Sequence, residues 1–249
     1  MAIDRTAAAS LFDEAFRTEV INVATRSSTA LATFRTVPMS NKKDRMPVLS
    51  ALPTASFLAA EGDVKPQTTA GWDDVFITAE EIAVIVPMDD SMLADAQIDV
   101  AGQVRDLIGQ AFAQAIDAAV FFGDGAPASW PTGGLLGAVG AGDKVTDTGS
   151  GATAPEDWFA AFDAVETKGF NVSNIWGARK IRGGLRYPTV AGQANVVPGI
   201  STDSVFGVAP QYPLSWDSTL ATGALAILGD ATAGMFGIRQ DMTFSFSDQ

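Results

Sequence analysis

The side chains able to do chemistry are defined first by two absences, since the 249-residue chain contains no Cys and no His. Disulfide frameworks, thiolate zinc sites, cysteine nucleophiles, Ser-His-Asp triads and histidine general bases are excluded. A metal site would be built from oxygen alone, and acid–base catalysis from carboxylates, Lys or Tyr. Adjacent acids occur at Asp73-Asp74, Glu80-Glu81 and Asp89-Asp90. Neighbours on a strand point to opposite faces, so such pairs cannot share a proton or flank one bond. Gly137 to Gly142 has the glycine spacing that opens a phosphate loop, but Asp143 stands where a Lys is needed and Lys144 comes one residue late. A turn is expected there. Asp143 and Asp147 lie in a Gly/Thr loop without the EF-hand pattern, so a solvated loop is expected rather than a calcium site. Arg179, Lys180, Arg182 and Arg186 form a basic cluster with no acid between Glu166 and Asp203. It suits DNA, an acidic neighbour or a solvated helix face. No catalytic residue, cofactor or metal is expected.

The overall charge narrows the partners. Sixteen bases against 29 acids give −13, a balance that repels nucleic acid and anionic membranes. The first 50 residues carry +2 and the remainder −15, so neighbouring copies, or parts of one copy, can attract each other. The start of the chain carries two charges and no apolar h-region, and Pro127, Pro131 and six Gly break the longest uncharged stretch, Gly125 to Gly142. A soluble protein made in a cytoplasm, without a membrane partner, is expected. With 47% hydrophobic residues a packed core is within reach.

These side chains must be positioned by a limited set of elements. Leu11, Phe12, Ala15, Phe16, Val20 and Val23 predict an amphipathic helix over residues 7–24, followed by a break at Ser27-Ser28-Thr29 and an extended stretch from Ala30 to Met39. After the polar tip Ser40 to Asp44, short strand-like runs lie at Met46–Leu49 and Ala55–Leu58, and β-branched residues from Val75 to Val86 predict a strand stopped by Pro87. Residues 40–75 hold too little apolar surface to fold on themselves. Val100 to Phe122 reads as a long helix with Val100, Val104, Leu107, Ile108, Ala111, Phe112, Ala115, Ile116, Ala119 and Val120 in its apolar stripe and Gln103, Asp106, Gln110, Gln114 and Asp117 outside. Asp99 is its expected N-cap and Gly123 its C′ residue. A second helix starts at Pro155-Glu156-Asp157, buries Trp158, Phe159, Phe162 and Val165, and ends at Gly169. Short strands are expected within 170–225, then at Leu225–Leu228 and Met235–Phe246. No internal repeat is seen.

The order of these stretches resembles the major capsid proteins of tailed bacteriophages, the Hong Kong 97-type fold. Ala59 to Pro66 (Ala-Ala-Glu-Gly-Asp-Val-Lys-Pro) is similar to the signature of that family's extended hairpin, and Trp72-Asp-Asp-Val75 with the run to Val86 to its return strand. Pro87 to Asp95 and the helix from Asp99 to Gly123 resemble the short helix and spine helix. Gly123-Asp-Gly125 and Pro131 to Leu136 resemble the glycine-rich exit, and Ala226 to Asp230 with Gly237-Ile-Arg239 the late strands.

The resemblance implies an α+β fold with an N-terminal arm (1–34), an extended loop (35–74), a peripheral domain (75–135, spine helix 99–122), an axial domain (136–224) and late strands (225–249). It implies a non-enzymatic shell subunit that assembles as pentamers and hexamers into an icosahedral head around double-stranded DNA, in the virion after assembly in the bacterial cytoplasm. Portal and a separate scaffold, or none, are the implied head partners, because Met1 lies just ahead of the arm. Further strands beyond Asp248 are expected by the same likeness. Lys42, Lys43, Arg45, Glu61 and Lys65 are the expected inter-subunit contacts, and Lys65 matches a lysine that some relatives crosslink to a neighbour's Asn. An encapsulin-type nanocompartment shares the fold and is the alternative. A carboxylate enzyme would instead be a monomer with an acidic cleft, and an adhesion or tail module would show repeats.

Overall fold

A computed structural model describes residues 19–57, 65, 67–87, 100–146, 155–186, 199–201, 203–216, 221 and 223–239. The predicted Asp99 cap, the Asp89-Asp90 pair, Asp147 and most of the Ala59 to Pro66 stretch lie outside the described residues. The chain forms two compact units. One comprises residues 37–81 and 237–240, the other the remainder, and the division falls inside two strands, β1 (Arg35–Pro38) and β7 (Met235–Ile238), that pair as a two-stranded ribbon.

In the larger unit the chain is helical from residue 19 to 27 (α1), breaks at Ser28, and resumes as α2 (Thr29–Thr33). The expected break is present, but the extended stretch expected from Ala30 begins only after α2. Ser28 lets it start as an N-cap with extended backbone, its Oγ accepting from Leu31 N at 3.1 Å. The long helix α3 (Val100–Phe122) spans 23 residues, or about 35 Å at the usual helical rise. Val20 and Ala24 of α1 pack against Ile108 and Phe112 of α3, the i, i+4 spacing that meshes two helices. They come close because position 109 is Gly: a Cβ there would lie 2.8 Å from Val23 Cγ1.

Two expectations for α3 fail. Leu107, assigned to the buried stripe, is 62% exposed, and Ala111 and Ala115 are exposed in line with it. Asp117, assigned to the outer face, is fully buried. The packed face is therefore turned from the one hydrophobicity alone suggests, because α2 sits over Asp117 and draws that side inward.

The helix ends as expected at Gly123, whose φ of +71° is the left-handed value that glycine tolerates. The exit folds back tightly into a short helix α4 (Gly134–Ala138). Next come α5 (Pro155–Glu166), β4 (Asn174–Gly177), α6 (Ile181–Leu185), β5 (Pro210–Gln211) and β6 (Ala226–Gly229). Strand β4 is central, parallel to β5 and antiparallel to β6, with Ile175 opposite Leu228 and Trp176 opposite Ile227.

Alternation along β4 divides the core in two. Trp176 faces a cluster with Phe34, Phe121, Phe122 and Ile227, where its ring centroid lies 5.4 Å from that of Phe34 and 5.7 Å from that of Phe121. Ile175 faces the other way, toward Trp158, Phe162, Ile181, Leu185, Ile200 and Val205. Burial of Trp158 and Phe162 on α5 follows the sequence pattern, but Phe159, expected inside, is exposed.

The smaller unit is built on one antiparallel hairpin, β2 (Lys43–Ala51) with β3 (Gly71–Thr78), in the register Lys43 to Thr78 through Leu49 to Trp72, with a bulge before Ala51. The predicted strand over Val75–Val86 is shorter than expected. The pairing runs on only as far as Ala79, whose N–H donates to Lys42 O at 2.8 Å, and residues 82–87 carry no strand, so strand propensity there goes unused. The run Ala55 to Phe57 likewise carries no strand.

Candidate functional site

The β2–β3 hairpin is two strands wide, and among the described residues its cover is confined to one end, where Gly237 of β7 lies against Ile77. Such a ribbon is marginal alone in water. One face carries Lys43, Arg45, Pro47 and Leu49 opposite Thr78, Phe76, Asp74 and Trp72; the other carries Asp44, Met46 and Val48 opposite Ile77, Val75 and Asp73. Both faces leave large apolar groups in water. Trp72 is 67% exposed, and Val48, Leu49, Leu52, Phe57, Val75 and Phe76 are also exposed. Contiguous apolar exposure on this scale marks a surface that another protein covers.

The cations expected to make contacts sit on this ribbon or at its start. Lys42 Nζ lies 3.9 Å from Glu80, Lys43 rests over the Phe76 ring at 4.3 Å, and Arg45 reaches Asp74 diagonally across the strands at 3.3 Å. All three cations are exposed, so these pairs are worth at most about 1 kcal/mol each. Lys65 is exposed, and Glu61 lies outside the described residues. Sequence reasoning chose the charges and passed over Trp72, Phe76 and Leu49 as contact groups. Their signal was present: aromatic and aliphatic residues in a segment too short of apolar partners to bury them.

Of the acidic pairs, Asp73-Asp74 lies on a strand and behaves as the strand argument requires, whereas Glu80-Glu81 lies past the end of β3. Asp73 and Asp74 fall on opposite faces of β3, and Asp74 is engaged by Arg45. Around Gly137 to Gly142 the chain forms the end of α4 and a single 3₁₀ turn, and Asp143 is ion-paired to Lys168. No group of three or more acids able to hold a metal occurs among the described residues. No helix among them is long and apolar enough to cross a membrane.

A second functional element in the larger unit was not foreseen. The Asp117 carboxylate accepts from Ser28 Oγ at 2.7 Å, Ala30 N at 2.9 Å and Thr29 N at 3.0 Å. It satisfies the free N–H groups at the start of α2, a capping role played from another helix. Burial pushes its carboxyl above the ordinary value, a rise partly offset by the bonds from Ala30, Ser28 and Thr29. The signal in the sequence was an acid flanked at i−4 and i+4 by Ala113 and Phe121, both buried.

The family and structural comparisons with known proteins agree with each other. Residues 9–249 match the model of the phage capsid family. Nothing among curated protein sequences matches the chain. Among solved structures, one from Microbacterium phage Oxtober96 is 35% identical with a TM-score of 0.74, the match covering 86% of this chain and 74% of that one. One from Mycobacterium phage Cain is 26% identical with a TM-score of 0.73, covering 98% and 81%. One from Mycobacterium phage Bobi is 28% identical with a TM-score of 0.71, covering 98% and 82%.

Proposed function

The chain belongs to the phage capsid family, and from that premise we propose that it assembles as pentamers and hexamers through the exposed β2–β3 ribbon. Its function is that of a major capsid protein, the subunit that builds the icosahedral head. The observation that carries the assembly reading is a ribbon with two solvent-facing sides and Trp72, Phe76 and Leu49 uncovered. A neighbour that covers it removes apolar area worth about 25 cal/mol per Å² and makes association a main source of stability.

In this reading the chain is divided as an arm (1–34), an extended loop (35–74), a peripheral domain (75–135), an axial domain (136–224) and returning late strands (225–249). Lys42, Lys43, Arg45 and Glu61 are inter-subunit contacts. Lys65, exposed on its loop, is where a covalent crosslink to a neighbour would run. The subunit works without catalysis or cofactor. Double-stranded DNA fills the head without sequence-specific binding, and the −13 charge keeps that contact weak. Portal and, where one is used, a separate scaffold are its head partners, and assembly takes place in the bacterial cytoplasm.

The test is particle formation. Purified protein, sized by light scattering behind a gel-filtration column and imaged by negative stain, should give closed shells. Shells that hold an enzyme instead of DNA would identify a nanocompartment. A compact monomer at high concentration and under crowding would overturn the shell assignment for this chain.

A further inference from the structure

Resting on that shell reading, we propose that the basic face of α6 docks onto the acidic face of α5 in a second copy of this chain.

The basic side comes first. Residues 178–186 hold Arg179, Lys180, Arg182 and Arg186 and no acid. Ile181 and Leu185 point into the core, which turns all four cations into solvent. Arg182 lies over the Tyr212 ring at 5.7 Å. None of the four has an ion-pair partner among the described residues. In a chain of net charge −13, four adjacent cations left without carboxylates are an unspent attraction.

The complementary surface lies on the same small body. Helix α5 packs Trp158 and Phe162 on the core cluster that also receives Ile181 and Leu185. The flank beside that packed face exposes Glu156, Asp163 and Glu166, and residues 155–167 contain no base. At 100° per residue these three acids, with Phe159, fall within one arc of about 80°. Phe159 is 52% exposed and stacks at 4.8 Å on Phe206, a non-glycine residue held at φ +50°. A bulky side chain in the left-handed region is strained, and here the strained turn places an aromatic beside the acids. Guanidinium groups favour that combination of carboxylate and aromatic surface.

The two charged faces share one core yet form no ion pair with each other among the described residues. Segregated, unpaired and opposite charges suit a head-to-tail contact, in which one patch meets a different patch on the next copy. Such a contact can repeat from copy to copy, and with a closing rotation it builds a ring. The second copy is favoured over DNA because the three acids and Phe159 offer the four cations both carboxylates and an aromatic anchor, whereas a phosphate backbone would leave the acidic arc unexplained.

Charge exchange tests this directly in the full chain. The basic reversal R179E/K180E/R186E and the acidic reversal E156K/D163K/E166K change exposed groups, so circular dichroism of the subunit should stay as in the wild type; melting should be unchanged in the basic reversal and fall only slightly in the acidic one, where E156K puts a cation at the N-terminus of α5. Each reversal alone should lower the yield of closed particles at least about tenfold, since like charges then face each other, and the sixfold variant carrying both should restore it. Unimpaired assembly of either reversal, or no recovery in the combination, overturns the contact while wild-type shells keep the shell reading intact. A basic reversal that assembles normally but loses packaged nucleic acid assigns the α6 face to DNA and also overturns it. A wild type that remains monomeric overturns both readings.

Discussion

Ser28 Oγ donates a 2.7 Å hydrogen bond to the buried carboxylate of Asp117, a contact that joins the start of α2 to the long helix across 89 residues of sequence. The same carboxylate takes the N–H groups of Thr29 and Ala30, so one side chain holds three donors. Removing it leaves those donors buried without a partner. Asp117→Ala should cost the subunit about 3 kcal/mol, at about 1 kcal/mol or more for each orphaned donor. A urea midpoint unchanged from the wild type would refute the lock.

The sign of the pH effect at Asp117 follows from burial. Its folded-state value lies above the ordinary 3.8, so the folded protein keeps this proton to higher pH than the unfolded chain does. Stability from this group is therefore full below the ordinary value and declines as pH rises through the raised one. Asp117→Asn should remove that slope. Unfolding midpoints of wild type and variant, compared from about pH 4 to 7, should converge or cross in the direction of wild-type loss as pH rises. A difference that grows in favour of the wild type would contradict the raised value.

Trp72 separates assembly from subunit stability. At 67% exposure it contributes little to the isolated fold. Trp72→Ala should shift subunit unfolding by no more than about 0.5 kcal/mol while sharply reducing closed particles. Equal particle yield would remove the ribbon from the assembly surface.

The triple change of Lys42, Lys43 and Arg45 to Glu should likewise weaken assembly and leave the monomer folded, because the pairs to Glu80 and Asp74 are solvent-exposed. Light scattering gives the yield and circular dichroism the fold. Full particle yield would exclude these cations as contacts.

Two glycines at the exit of α3 test the cost of close packing apart from that of backbone conformation. Gly134 and Gly125 both have positive φ, +58° and +63°. A Cβ on Gly134 would lie 2.6 Å from Gly123 N and Val120 O, whereas one on Gly125 meets nothing within 4 Å. Gly125→Ala should cost about 1 kcal/mol and Gly134→Ala clearly more. Equal melting temperatures for the two variants would disprove the tight turn.

The long helix, the second helix and the strand at Ala226 were legible because periodicity reports which residues want burial. It does not report what covers them. Leu107 looks as apolar as Ile108, yet one is 62% exposed and the other 8%. Asp117 looks like an outer-face acid until the capped helix above it is known. The Val75–Val86 run has high strand propensity throughout, but only its first part finds a partner in β2. The candidate surface was half legible: its cations could be picked by charge, while the exposure of Trp72 and Phe76 depends on how little of the hairpin the other described residues cover.

Residues Ile82 to Val86 are β-branched or small, uncharged, exposed and without a ladder partner among the described residues. Five such residues in a row are the composition that templates fibrils. Glu80 and Glu81 precede them and Pro87 follows, the charges and the missing donor that discourage identical segments from stacking. An unassembled subunit leaves this segment open to like segments, and these three flanking residues are the groups that oppose its stacking.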